Sequence, residues 1–104
     1  MEVLGASMDA QIVNYADTLI RGVQAHKAAI DGKIQSASAH WKLERMATID
    51  RNILRVATYE MCFASPTVKE NIAINEAVEI AKKFGTTESA SFVNGLLDQI
   101  AKAS

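Results

Sequence analysis

Side chains able to do chemistry are few and scattered in this sequence. His26 and His40 are far apart, and neither has a second histidine or an acid cluster at ligand spacing, so metal binding and general-base catalysis both lack a partner group. Structural or surface roles are expected for both. Cys62 is the one cysteine, which rules out an internal disulfide and a cysteine-based metal site and suits a core filler in a reducing cytoplasm. The five glycines stand at 5, 22, 32, 85 and 95, too dispersed for a phosphate-cradling loop. No catalytic residue, metal site or cofactor motif emerges, and the expectation is a protein that is not an enzyme.

Two features suit binding instead. Residues 33–55 carry Lys33, Lys42, Arg45, Arg51 and Arg55 against Glu44 and Asp50, the one basic stretch of a chain whose formal net charge is -1. With no global field to attract nucleic acid, any such contact has to use a local patch. Pairing with Asp50 and Glu44 is the alternative fate of these arginines. The second feature is Phe92. At 100° per residue it falls about 90° from the centre of the stripe Val93, Leu96, Leu97 and Ile100, on the side of Glu88, Gly95 and Gln99. It either covers the rim of a core or offers a stacking platform to an unpaired base, with Gly95 and Asn94 letting the backbone approach and Lys82 and Lys83 nearby to neutralise phosphate. The rest of that charged face, Glu70, Glu76, Glu79 and Lys69, reads as solvated, with Glu79 and Lys83 as an i, i+4 pair.

Helices must position these residues. The 104 residues are 49% hydrophobic and 22% charged, with one Pro, enough for one domain over 1–104 and too mixed for a membrane span. Met8, Ile12, Tyr15, Ala16, Leu19 and Val23 make one helical stripe, which Ser7 or Asp9 can cap, and Ile30, Ile34, Ala37 and Trp41 continue it. Residues 8–41 are therefore one long helix, or two with a bend between Gly22 and Gly32. A helix starting at Thr48, with Asp50 in its first turn, has the face Ile49, Ile53, Val56, Ala57, Met61 and Ala64, and stops at Ser65-Pro66. Thr67 and Glu70 have capping-box spacing ahead of a stripe Ala73, Ala77, Ile80, Ala81 and Phe84, which Gly85 ends. A last helix starts at Thr86 or Thr87 and buries Ser89, Val93, Leu96, Leu97 and Ile100. The fold class is all-α, a bundle of four to five helices, whose part over 48–103 is three antiparallel neighbours joined by short connections. The first residues lack a secretory signal pattern, so a cytoplasmic location is expected.

Three segments carry a family resemblance. Ile49-Asp50-Arg51-Asn52-Ile53-Leu54-Arg55-Val56-Ala57-Thr58-Tyr59-Glu60, Ile72-Ala73-Ile74-Asn75-Glu76-Ala77-Val78-Glu79-Ile80-Ala81-Lys82-Lys83-Phe84-Gly85 and Ser91-Phe92-Val93-Asn94-Gly95-Leu96-Leu97-Asp98 resemble, in order and spacing, the C-terminal part of the NusB family. Leu19-Ile20-Arg21-Gly22-Val23 and the stretch from Ile30 to Trp41 resemble its middle helices, so the likeness runs from about residue 12 to the end. It implies an all-helical RNA-binding factor of transcription antitermination that recognises the single-stranded boxA element together with the ribosomal protein NusE, within the RNA polymerase antitermination complex, and without catalysis. It also implies that Phe92 and Glu88 belong to the RNA surface and that Asp50 lies on the surface used by NusE. Family members usually carry an arginine-rich segment and two helices ahead of the part that begins here.

Two alternatives follow. One is a purely protein-binding module docking through Asp50, Arg51 and Tyr59, and a related one is a detached copy of the NusB-like domain of RNA cytosine methyltransferases. Because the Met8 to Val23 stripe faces additional helices in the family, a homodimer or higher oligomer is expected to cover it.

Overall fold

The computed structural model describes residues 17–103, and over these the chain is helical with no strand. Helix α1 comprises residues 17–25 and α2 spans Lys27–Ala37; a 3-10 turn, Leu43–Arg45, leads to α3, Thr48–Cys62, followed by α4, Glu70–Phe84, and α5, Ser89–Ala103. The all-α expectation holds. Met8, Ile12, Tyr15, Ala16 and the caps Ser7 and Asp9 lie outside the described residues.

The bent alternative is the one adopted. The helix is interrupted at His26, whose N–H still bonds to the Gly22 carbonyl at 3.1 Å and whose own carbonyl accepts from Ile30 at 2.9 Å. His26 stacks on Phe63, with ring centroids 5.0 Å apart. Only Ile30 and Ile34 of α2 are buried. The expected continuation to Trp41 fails because the helix stops at Ala37, and Trp41 stands on the following turn, 58% exposed.

Helix α3 contacts α2, α4 and α5, so its buried arc is broad and rotated from the one the sequence suggests. Ile53, Leu54, Ala57, Thr58 and Glu60 are buried, whereas Ile49, in the open first turn, is exposed. Asp50 shares the inward phase of Leu54, Ala57 and Met61. On α4 the alanines at 73, 77 and 81, with Ile74, face the core. Ile80 and Phe84, expected to be buried, are exposed: Ile80 flanks the stripe, and Phe84 is the helix's last residue. Small side chains on this face allow close approach to α3 and α5, at the expense of area buried per residue.

Two helix starts differ from the pattern. The Thr67–Glu70 capping box does not form; α4 begins at Glu70 after Lys69, with no side-chain cap, and the Lys69 carbonyl accepts from the N–H groups of Ile72 and Ala73. Regular α5 begins at Ser89 rather than Thr86. The Thr86 N–H donates to Ser89 Oγ at 2.9 Å while the Ser89 N–H donates to the Thr86 carbonyl at 3.1 Å, a reciprocal closure of the first turn. Gly85 does end α4, with an extended backbone, and it has to be glycine because a Cβ would lie 2.4 Å from Ser89 Oγ. The α5 stripe is buried as expected from Ser89 through Val93, Leu96, Leu97 and Ile100.

Among the basic residues, Arg55 pairs with neither Asp50 nor Glu44. It reaches Asp31 on α2 through Nε and Nη2, at 2.8 and 3.1 Å, tying α2 to α3. Glu79 pairs with Lys82 at 3.4 Å, one residue short of the expected Lys83.

Candidate functional site

The first turns of α3 and α5 and the connection between α2 and α3 enclose a groove of about 200 Å³. Trp41, Arg45, Asp50, Glu88 and Phe92 line it, over the buried Met46 and Ser89. On the other side of Phe92 a shallower groove runs along α5 past Ser38, His40, Trp41, Gly95 and Gln99. Trp41 and Phe92 are therefore walls common to both.

Local sequence explains each placement. Phe92 sits one turn after Glu88, one turn before Gly95 and two before Gln99, so a single ridge along α5 and the turn that leads into it carries these residues. Phe92 is half-buried and packed on the core, leaving only part of its ring available. The turn carrying Trp41 is locked by the Gln35 side chain: its Nε2 donates to the carbonyls of Ser38 and Trp41, at 3.1 and 2.9 Å, while its Oε1 accepts from the Leu43 N–H at 2.9 Å. Ser38 Oγ donates a further bond to the Trp41 carbonyl at 3.0 Å. An exposed indole is thus fixed at its backbone, and Gly95, with no atom within 4 Å of where a Cβ would stand, leaves α5 flat beside it.

The electrostatics are mixed. The groove holds one cation, Arg45, and two carboxylates, Asp50 and Glu88, and Asp50 Oδ1 is buried without a hydrogen-bond partner. Arg51 Nε is likewise buried and unpartnered. An unpaired buried acceptor of this kind is rare in folded proteins and favours a donor arriving from outside.

The sequence-derived candidates separate into groups. Phe92, Glu88, Gly95 and Asp50 converge on the two grooves, so the residue expected to face a protein partner lies beside those expected to face RNA. Asn94, exposed on α5, lines neither groove, nor do Lys82 and Lys83, exposed in the last turn of α4. Tyr59 is far from this site in its packing: it lies against α1, its ring where a Cβ on Gly22 would be, and 6.1 Å from His26. Trp41 and Gln35 are site residues that periodicity hid, whereas Arg45 was legible as part of the basic stretch. Trp41 prolongs the apolar phase of α2, and only the small, polar Ser36 to His40 stretch before it signals that the helix stops first. Among the described residues no group of three His, Cys, Asp or Glu side chains is placed to hold a metal ion, and no helix is long and apolar enough to cross a membrane.

The fold is an all-helical bundle carrying a mixed-charge groove walled by two aromatic side chains, and comparison narrows the class. The NusB family model matches residues 2–102, beyond the stretch the motifs alone cover. The chain is 66% identical over 103 residues to the transcription antitermination protein NusB of Bdellovibrio bacteriovorus, covering 99% of this chain and 76% of that protein. It is 51% identical over 88 residues to the protein of the same name from Geobacter sulfurreducens, covering 85% of this chain and 63% of that one. Among solved structures, T. maritima NusB superposes with a TM-score of 0.79 at 44% identity, over 86% of this chain and 62% of that one. The chain belongs to the NusB family. Its relatives are antitermination factors, not enzymes.

Proposed function

We propose that this protein is an RNA-binding transcription antitermination factor that acts in the cytoplasm on single-stranded, boxA-type RNA, with the ribosomal protein NusE and the RNA polymerase antitermination complex as partners. The observation that carries the reading is the pair of grooves sharing Trp41 and Phe92 as walls. Exposed aromatic faces beside a small residue are how single-stranded RNA is held, because every base has a stacking face whereas duplex grooves do not accept such a surface. Phe92 stacks on a base, Gly95 and Asn94 admit the backbone, Glu88 accepts from a base edge, and Lys82 and Lys83 neutralise phosphates flanking the site. Asp50 and Arg51 meet the protein partner at the groove's edge, and Tyr59 is a separate partner contact on the α1 side. The names of the Bdellovibrio and Geobacter relatives support the antitermination role.

The test is binding of a labelled boxA-like RNA, with and without NusE, across a salt series. Binding that weakens with salt is expected, since displaced counterions accompany every phosphate contact. No salt-dependent binding in either condition overturns the proposal.

A second copy of the chain is a further proposed partner. Ile20, Ile49, Ile72, Ile80 and Phe84 are all large, apolar and exposed. At about 25 cal/mol per Å², leaving even ~400 Å² of such surface in water forfeits on the order of 10 kcal/mol, as much as a small domain's whole stability. Sedimentation equilibrium at micromolar concentration is expected to show a homodimer; a concentration-independent single-chain mass with one cooperative unfolding transition refutes it.

A further inference from the structure

We infer that the face crossing α1, α3 and α4 is a two-fold interface on which a second copy of this chain docks; the inference rests on the homodimer reading above and specifies its surface. Two mostly apolar grooves meet there. One, of about 250 Å³, lies between α3 and α4, and the other, of about 350 Å³, between α1 and α3. Asn52 and Val56 line both, so the two run together across α3 as one channel. Each half has a protruding aliphatic wall: Ile80 on α4, 46% exposed, and Ile20 on α1, 57% exposed. No residue lining this channel also lines the grooves walled by Trp41 and Phe92, so the face is separate from the proposed RNA surface.

Charge selects what covers the channel. The α4 half carries the carboxylates Glu60 and Glu76, and the α1 half carries the cations Lys27 and Arg55. Arg55 is engaged by Asp31 and Glu60 is buried, which leaves Glu76 and Lys27, both exposed and, among the described residues, in no ion pair. A basic partner helix is repelled at one end of the channel, an acidic one at the other, and a nucleic-acid backbone at Glu76. What fits is an apolar surface bearing the two signs in reverse order. A second copy turned about a two-fold axis through the junction at Asn52 and Val56 presents that order by construction, since an isologous contact sets residue i on j and j on i. Glu76 of each copy then meets Lys27 of the other, which makes two ion pairs at the rim. Ile80 enters the second copy's α1 half and Ile20 its α4 half, so both leave water together. Asn52 meets its own counterpart, and an amide can donate to and accept from another amide.

Lys27 and Glu76 are exposed, so reversing their charge leaves the helical circular dichroism signal unchanged. In sedimentation equilibrium of the full chain, Lys27→Glu and Glu76→Lys are each expected to weaken the dimer about tenfold, because each sets like charges together twice. Combining the two is expected to bring the dissociation constant back to within about threefold of the original, since the pairs re-form with their signs exchanged. Asn52→Cys, made together with Cys62→Ala so that no other thiol is present, is expected to give a disulfide-linked dimer on mild oxidation, because this position faces itself across the axis. A dimer whose dissociation constant neither reversal changes overturns this interface and leaves the homodimer reading intact. The same holds for a combined variant as weak as either single one, and for a dimer that Asn52→Cys does not cross-link. A concentration-independent single-chain mass for the unsubstituted protein overturns the homodimer reading and the interface with it.

Discussion

Replacing Asp31 with Ala strips the Arg55 guanidinium of both its bonds to α2 while leaving it in a site where only 17% of the side chain is exposed. What remains is Asn52 Oδ1 at 3.5 Å, at the limit of a hydrogen bond. The size of the loss follows from burial. Breaking a fully buried pair costs about 3–5 kcal/mol and breaking an exposed one about 0.2–1 kcal/mol. With side chains 17% and 24% exposed, the Arg55–Asp31 fork falls between these limits, at roughly 2 kcal/mol for either single alanine variant. At about 4–8 °C per kcal/mol for a domain of this size, the thermal midpoint falls by roughly 8–16 °C. The double variant is expected to lose about 2.5–3 kcal/mol rather than the sum of the two singles, a coupling of about 1–1.5 kcal/mol in a double-mutant cycle by urea denaturation. Raising salt to about 1 M is expected to change that coupling only modestly, because solvent ions reach the pair poorly. The exposed pair Lys102–Asp98, at 3.8 Å with side chains 71% and 61% exposed, is the control and should couple by no more than a few tenths of a kcal/mol. A coupling for Arg55–Asp31 no larger than that control would refute the claim that the fork holds α2 to α3.

Further outcomes follow from single positions. Val93→Asp, at a site with 0% exposure, is expected to lose roughly 3 kcal/mol or more by burying an unpaired charge, whereas Phe92→Asp, half-buried, loses about 1–2 kcal/mol and abolishes RNA binding; equal unfolding of both by circular dichroism would make Phe92 a core residue only. Thr58→Val replaces a fully buried hydroxyl that has no hydrogen-bond partner with a methyl of the same shape, and should raise stability by about 1 kcal/mol in urea; a loss would mean that the hydroxyl is satisfied. Gly85→Ala, whose Cβ would crowd Ser89 Oγ and the Ala81 carbonyl, should destabilise by about 1–3 kcal/mol. Gly95→Ala meets nothing within 4 Å and should stabilise α5 by about 0.5–1 kcal/mol while weakening RNA binding; unchanged affinity would remove Gly95 from the proposed surface.

Composition and periodicity determined the all-α class, the approximate spans of α3, α4 and α5 and the inward face of α5. These are local properties, since helix-forming residue types and apolar spacing are written in the string itself. The three motifs also determined the family, because their order and spacing are a property of the string. Tertiary structure decided which phase of α3 and α4 turned inward. Helix α3 touches three partners and exposes its open first turn, so Ile49 lost its place to Leu54 and Thr58, while alanines took the close contact on α4 and left Ile80 and Phe84 outside. It also decided that Arg55 belongs to Asp31, twenty-four residues away, rather than to the acids beside it in sequence. The candidate groove is the clearest case. Phe92 was legible as an aromatic off the stripe, but its second wall, Trp41, was not, because the turn that lifts Trp41 out of helical phase is closed by hydrogen bonds from Gln35 and Ser38 that no periodicity records. Spacing fixes the direction of a side chain only while the backbone remains regular, and this site is assembled where three regular elements end.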